Sequence, residues 1–102
     1  MKRKNYTKED YEAVADYFFE NKDKTISGEK IKQLFGLTTV KLQAIIHDLR
    51  VDNKPIISLG RNGYKLTEDK DEVMKTYMSL VERAKSILVA ANGLKDYMEH
   101  QE

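Results

Sequence analysis

A mainly helical chain with one small β-hairpin is predicted by three features of the sequence. Two segments of helical period, residues 27–35 and 38–50, are separated by Gly36. A β-rich run over residues 55–66 is folded back on itself by two glycines. From Val73 to Met98 apolar residues recur at alternating intervals of four and three, an unbroken heptad seam.

The first helix has a clear start. Thr7 is a good N-cap, Asp10 stands three residues on, and Tyr6 and Tyr11 hold the two hydrophobic-staple positions. Tyr11, Val14, Ala15, Phe18 and Phe19 then form one apolar face, and Glu9, Glu12, Asp16 and Glu20 form an acidic one. Asn21 to Lys24 reads as a loop, and Thr25-Ile26 as a short strand able to pair with the hairpin.

Ser27 is the expected N-cap of the second helix, with Ile31, Leu34 and Phe35 on its inner face. Gly36 ends it, because the chain reverses there with a positive φ. Thr38 caps the third helix, in which Leu42, Ile45, Ile46 and Leu49 share the inner face. Thr39, Val40, Gln43, Ala44, His47 and Arg50 remain outward, with Lys41 to the side. Asp52-Asn53-Lys54-Pro55 breaks the helix.

Ile56 to Leu59 and Tyr64 to Leu66 are the hairpin strands, and Gly60-Arg61-Asn62-Gly63 is a tight reversal with Arg61 at its tip. Thr67 is the expected cap of the last helix, whose first turn is acidic through Glu68, Asp69, Asp71 and Glu72. Its seam is Val73, Tyr77, Leu80, Ala84, Ile87, Ala91, Leu94 and Met98, widened by Met74, Val81 and Leu88. Asn92-Gly93 marks a kink or an early end. Two regions follow: residues 1–66, a helical domain with a hairpin, and residues 67–102, a long terminal helix.

Composition narrows the function. A chain of 102 residues is one domain with a modest core of its own. Its longest apolar runs are far too short to span a bilayer, and no apolar stretch near Met1 suits a signal peptide. The absence of cysteine removes disulfides and thiolate chemistry and fits a cytoplasmic protein. His47 has no Ser, Cys or second His near it in sequence, so neither catalysis nor a metal site is expected, and no cofactor is implied. The net charge of +1 conceals an asymmetry: residues 24–66 carry eight Lys/Arg against three Asp/Glu, and residues 67–102 carry five against eight. Positive charge on the middle of the chain suits phosphate neutralisation. Met1-Lys-Arg-Lys adds a short basic arm.

The stretch TISGEKIKQLFGLTTVKLQAIIHDLR followed by PIISLGRNGYKL, residues 25–50 and 55–66, resembles the winged helix-turn-helix family, above all its small bacteriophage and mobile-element members. The resemblance implies that the third helix enters a DNA major groove, presenting Thr38, Thr39, Val40, Gln43, Ala44 and His47 to the bases. It implies phosphate contacts from Lys41, Arg50, Arg61 and Lys65. The expected function is double-stranded DNA binding, as a small transcriptional regulator or a phage or plasmid replication factor. The alternative is a protein-interaction module, such as a phage-encoded inhibitor of a host protein. Gln43 suits adenine, and the first two turns offer no outward Arg for guanine, so either modest specificity or a preference for A·T sequences is expected.

The seam has two readings: a helix pair between protomers, or packing on the first helix of the same chain. A helix of some 30 residues reaches roughly 45 Å, more than so small a domain can cover. A homodimer through Val73, Tyr77, Leu80, Ala84, Ile87, Ala91 and Leu94 is therefore expected.

Overall fold

The computed structural model describes residues 5–101, so the basic residues of Met1-Lys-Arg-Lys lie outside what is described. Four helices and one hairpin follow in order: α1 (Lys8–Glu20), α2 (Gly28–Phe35), α3 (Thr39–Val51), β1 (Ile56–Ser58), β2 (Tyr64–Leu66) and α4 (Lys70–Glu99). A single 3₁₀ turn, Gly60–Asn62, joins the two strands. No helix is long and apolar enough to cross a membrane among the described residues.

Side chains seat the helix starts. The Thr7 hydroxyl accepts from the Asp10 amide and the Asp10 carboxylate accepts from the Thr7 amide, a complete capping box. The Tyr6 and Tyr11 rings stack at 6.4 Å. Ser27 and Thr38 cap α2 and α3 by accepting from the amides of Lys30 and Lys41. Gly36 ends α2 at φ 63°, ψ 41°, the left-handed conformation the sequence requires there.

The core lies where α1, α2, α3 and the hairpin meet. Val14 and Phe18 come from α1, Ile31 from α2, Leu42, Ile45, Ile46 and Leu49 from α3, and Ile56 and Leu66 from the strands. Leu37, in the α2–α3 turn, is also buried and closes the core between those helices. Ile56 pairs with Leu66 and Ser58 with Tyr64 in the antiparallel hairpin. Ile26 adds a bridge to Tyr64, so the 25–26 segment does lie along the hairpin, by one residue pair.

Several local expectations are corrected. Phe19 and Leu34 are exposed, at 53% and 51%, because each helix buries only a narrow stripe and the chain supplies no further layer over these positions. Lys54 instead lies over the Phe19 ring, 5.8 Å from its centroid. Asp69, not Thr67, caps α4, accepting from the amides of Asp71 and Glu72. Thr67 is buried and donates to Glu72 at 2.9 Å. The helix runs through Asn92-Gly93 without a break, since a Gly inside a helix lowers its stability without forbidding it.

α4 leaves the domain. None of its residues is buried, and within the chain it rests chiefly on β1. It does not pack back on α1, so that reading of the seam falls. The molecule measures 58 × 32 × 24 Å, with a radius of gyration of 16.6 Å against about 13 Å for a compact domain of this length.

Candidate nucleic-acid interface

α3 turns its apolar stripe inward, and this fixes what faces out. At 100° per residue, Thr39, Gln43, His47, Val40 and Ala44 occupy an arc of about 140° opposite the core residues. Thr38, Thr39, Gln43 and His47 are exposed, Val40 is 60% exposed, and Ala44 is half-buried. The sequence and the structure thus agree on which side of α3 is open.

The carboxylates near α3 are turned away from this face. Asp48 accepts the Tyr6 hydroxyl, and Asp52 accepts the Tyr11 hydroxyl at 2.5 Å. Burial, and then the hydrogen bond to Asp52, push the Tyr11 hydroxyl up to about 12. The Tyr6 hydroxyl is raised further by burial and by Asp48. The two tyrosines of the N-terminal staple therefore hold α3 against α1 and keep its acids off the open side.

The four cations that the resemblance offers as phosphate contacts divide into two pairs. Lys41 is half-buried beside the open face, and Arg61 is exposed in the hairpin turn. Neither has an ion-pair partner among the described residues. Arg50 and Lys65 are engaged within the chain. Arg50 donates from Nε to the Ile56 carbonyl at 2.8 Å and from a terminal nitrogen to Ser58 Oγ at 2.8 Å, tying the end of α3 to β1. Burial lowers its pKa, nearby Arg83 acts in the same direction, and Tyr64 opposes both, but a guanidinium remains charged throughout. Lys65 donates to Glu72 at 2.6 Å and joins the hairpin to α4.

Two further cations reach the site. Lys32 of α2 donates to Thr39 Oγ1 at 2.9 Å and pairs with Glu29 at 2.8 Å, so it already orients the first residue of α3. Arg83 of α4 reaches a groove of about 680 Å³ that it shares with Gln43, His47, Arg50, Tyr64 and Leu80. Arg83 has no carboxylate partner among the described residues. Its position follows from the direction in which α4 leaves the hairpin, fixed in part by the Ser58 amide donating to Thr76 Oγ1 at 3.2 Å. Nothing in the spacing of the sequence signals that direction.

No protein family, curated protein or solved structure matches the chain. The surface must therefore be judged on its own chemistry. It is a helix face carrying amide, hydroxyl and imidazole groups, with Lys41 at its side and Arg83 in the groove beside it. Among the described residues no three His, Asp or Glu side chains gather to hold a metal ion. Such a face can donate and accept hydrogen bonds at base edges and set cations against phosphates. Of the dimerisation candidates along α4, Leu80 lines this same groove, whereas Tyr77, Ile87 and Leu94 are each more than half exposed.

Proposed function

We propose that the chain is a winged-helix protein that binds double-stranded DNA as a homodimer, serving in transcriptional regulation or in the replication of a phage or plasmid. The observation that carries this reading is the open face of α3, flanked by Lys41 on the helix itself and by Arg83 of α4, which shares a groove with Gln43 and His47. In this reading Gln43 and Thr39 meet base edges, with His47 further along the groove. Lys41, Arg61 and Arg83 neutralise phosphates. Arg50 and Lys65 serve the interface by holding the hairpin and α4 in place.

A homodimer suits this function, since two half-sites add their contacts and dimer geometry fixes their spacing. Val40, 60% exposed beside Ala44, favours one second reading, in which the α3 face docks on another protein. The first reading is tested by fluorescence anisotropy on mixed genomic DNA fragments across a salt series. The expected slope of log K against log salt is about −0.9 for each phosphate engaged. Gln43→Ala should weaken binding to a selected site with its melting temperature unchanged. No binding at low salt, by a correctly folded protein, refutes the DNA reading and favours the protein-docking one.

A further inference from the structure

We infer that two copies of this chain pair through α4 in antiparallel orientation, the C-terminal turns of each helix filling the apolar clefts at the base of the other. This deepens the dimer reading above and rests on it.

The need for a partner comes from exposure. α4 has 30 residues, none of them buried, yet from Ser86 to Leu94 it carries no charge. Ile87 and Leu88 are each 61% exposed and Leu94 is 69% exposed. An isolated helix is marginal in water, and an apolar stripe along it stabilises only when something covers it. A Leu, Ile or Met side chain carries roughly 100 Å² of apolar surface and a Tyr more. Seam and flank together therefore offer on the order of 600 Å² per protomer, close to the ~800 Å² per partner of a stable interface. A second copy supplies the same length, the same period and an equally apolar stripe.

Orientation follows from the side-chain sizes. In a parallel pair like faces like, so Ala84 meets Ala84 and Ala91 meets Ala91 while Leu80, Ile87 and Tyr77 meet their own kind. Thin layers would alternate with thick ones and leave voids, which a close-packed interface does not tolerate. In an antiparallel pair each position of one kind in the heptad faces the other kind. One register uses the whole seam: Val73 faces the partner's Met98, Tyr77 the partner's Leu94, Leu80 the partner's Ala91, and Ala84 the partner's Ile87. The two alanines are each set against a large aliphatic residue. At the flanks Val81 comes beside the partner's Leu88. Sliding the register by one heptad in either direction leaves two seam residues of each copy with no seam residue opposite.

The domain supplies an independent argument. Beside the first turns of α4 lies an apolar cleft of about 720 Å³ formed by Pro55, Val73, Met74 and Tyr77 together with Glu68 and Lys70. A second cleft of about 410 Å³ lies between α4 and β1 and shares Pro55, Val73 and Tyr77 with the first. In the antiparallel register the partner's Leu94 and Met98 arrive at this point. In a parallel pair the C-terminal ends meet each other far from both domains, and the clefts stay empty.

The chain has no cysteine, so introduced thiols report on orientation directly. Leu80→Cys and Ala91→Cys are prepared separately, and both positions are exposed enough for the fold to tolerate them. Sedimentation equilibrium of the unsubstituted protein first gives the mass, expected at twice the 11.9 kDa of one chain. Each variant is then oxidised alone, and the two are oxidised together after mixing and equilibration. A disulfide needs Cα atoms within about 7 Å. The antiparallel pair therefore predicts a cross-linked dimer from the mixture and almost none from either variant alone. Cross-linking of each variant alone shows a parallel pair and overturns the proposal. A dimer with no cross-link in any combination overturns the register. A monomeric mass overturns the pairing itself, and anisotropy on the same sample then shows whether DNA binding survives without it.

Discussion

Replacing Gly63 with alanine should be among the most damaging single changes to the domain. Gly63 adopts φ 112°, ψ −134°, a conformation nearly confined to glycine. A Cβ built there would lie 2.1 Å from the Ile26 carbonyl oxygen and 2.7 Å from the Ser27 Cα. Both are backbone atoms, so no rotamer change relieves the clash. Relief requires moving the 26–27 segment, which breaks the paired hydrogen bonds between Ile26 and Tyr64, each 2.8 Å long. The backbone conformation costs about 1–3 kcal/mol for a residue with a Cβ, and each lost hydrogen bond about 1 kcal/mol. The sum is roughly 3–5 kcal/mol before any loosening of Ile26, or a fall in Tm of at least about 12 °C for a domain of this size. Gly60→Ala is the control. It has φ 61° but nothing within 4 Å of the added Cβ, so only the conformational cost of about 1–2 kcal/mol applies. Thermal and urea unfolding followed by circular dichroism would measure both variants. Equal losses from the two would refute the close approach at Gly63 as the reason for glycine there.

Three other substitutions separate the roles assigned above. Arg61→Ala should weaken DNA binding and reduce the salt slope by about 1 with stability unchanged, whereas Arg50→Ala should lower stability by about 1–3 kcal/mol through loss of its bonds to Ile56 and Ser58; anisotropy and urea melts on both variants distinguish them. Hydrogen bonds from Lys65 and Thr67 hold the Glu72 carboxyl below its ordinary pKa. Its contribution is therefore present above the unfolded-state value and is lost as pH falls through the folded one, so Glu72→Gln should melt with a weaker acid dependence than the parent between about pH 5 and pH 3. Ile87→Asp should sediment as a monomer with less helix by circular dichroism and an unchanged domain transition, because Ile87 lies outside the domain core; a dimeric mass would remove the seam from the interface.

The caps and the core were the most legible parts of the fold, because they depend on local chemistry. Thr7 with Asp10, Ser27, Thr38 and Gly36 each act on amides or carbonyls within a few residues of themselves, so their spacing is sufficient. The inner face of α3 is legible for a related reason, since four aliphatic residues at intervals of three, one and three can turn only one way. Leu34 and Phe19 show where periodicity stops: an apolar residue at the edge of a stripe is buried only if another element arrives to cover it. The α4 cap shows competition between neighbours, with Asp69 taking the capping position while Thr67 is drawn inward to Glu72. Among the candidate site residues, outwardness could be read from the helical period, but availability could not. Arg50 and Lys65 are cations at suitable positions whose hydrogen-bond partners lie on other elements, and Arg83 joins the face only through the direction of α4.

That direction is set by polar contacts more than by the core. Lys65 and Thr67 bond to Glu72, and the Ser58 amide bonds to Thr76, while no residue of α4 reaches the buried cluster. Interactions of this kind, made near the surface and screened by solvent, contribute little to stability. The domain alone therefore holds α4 weakly, and every described residue of the helix beyond Arg83 is exposed. A partner helix along that length would supply what the domain lacks. It would fix the angle at which α4 leaves the hairpin, and with it the position of Arg83 relative to Gln43 and His47. Dimerisation and DNA recognition would then be coupled through one element, because the helix proposed to join two copies is also the one that brings Arg83 to the groove beside α3.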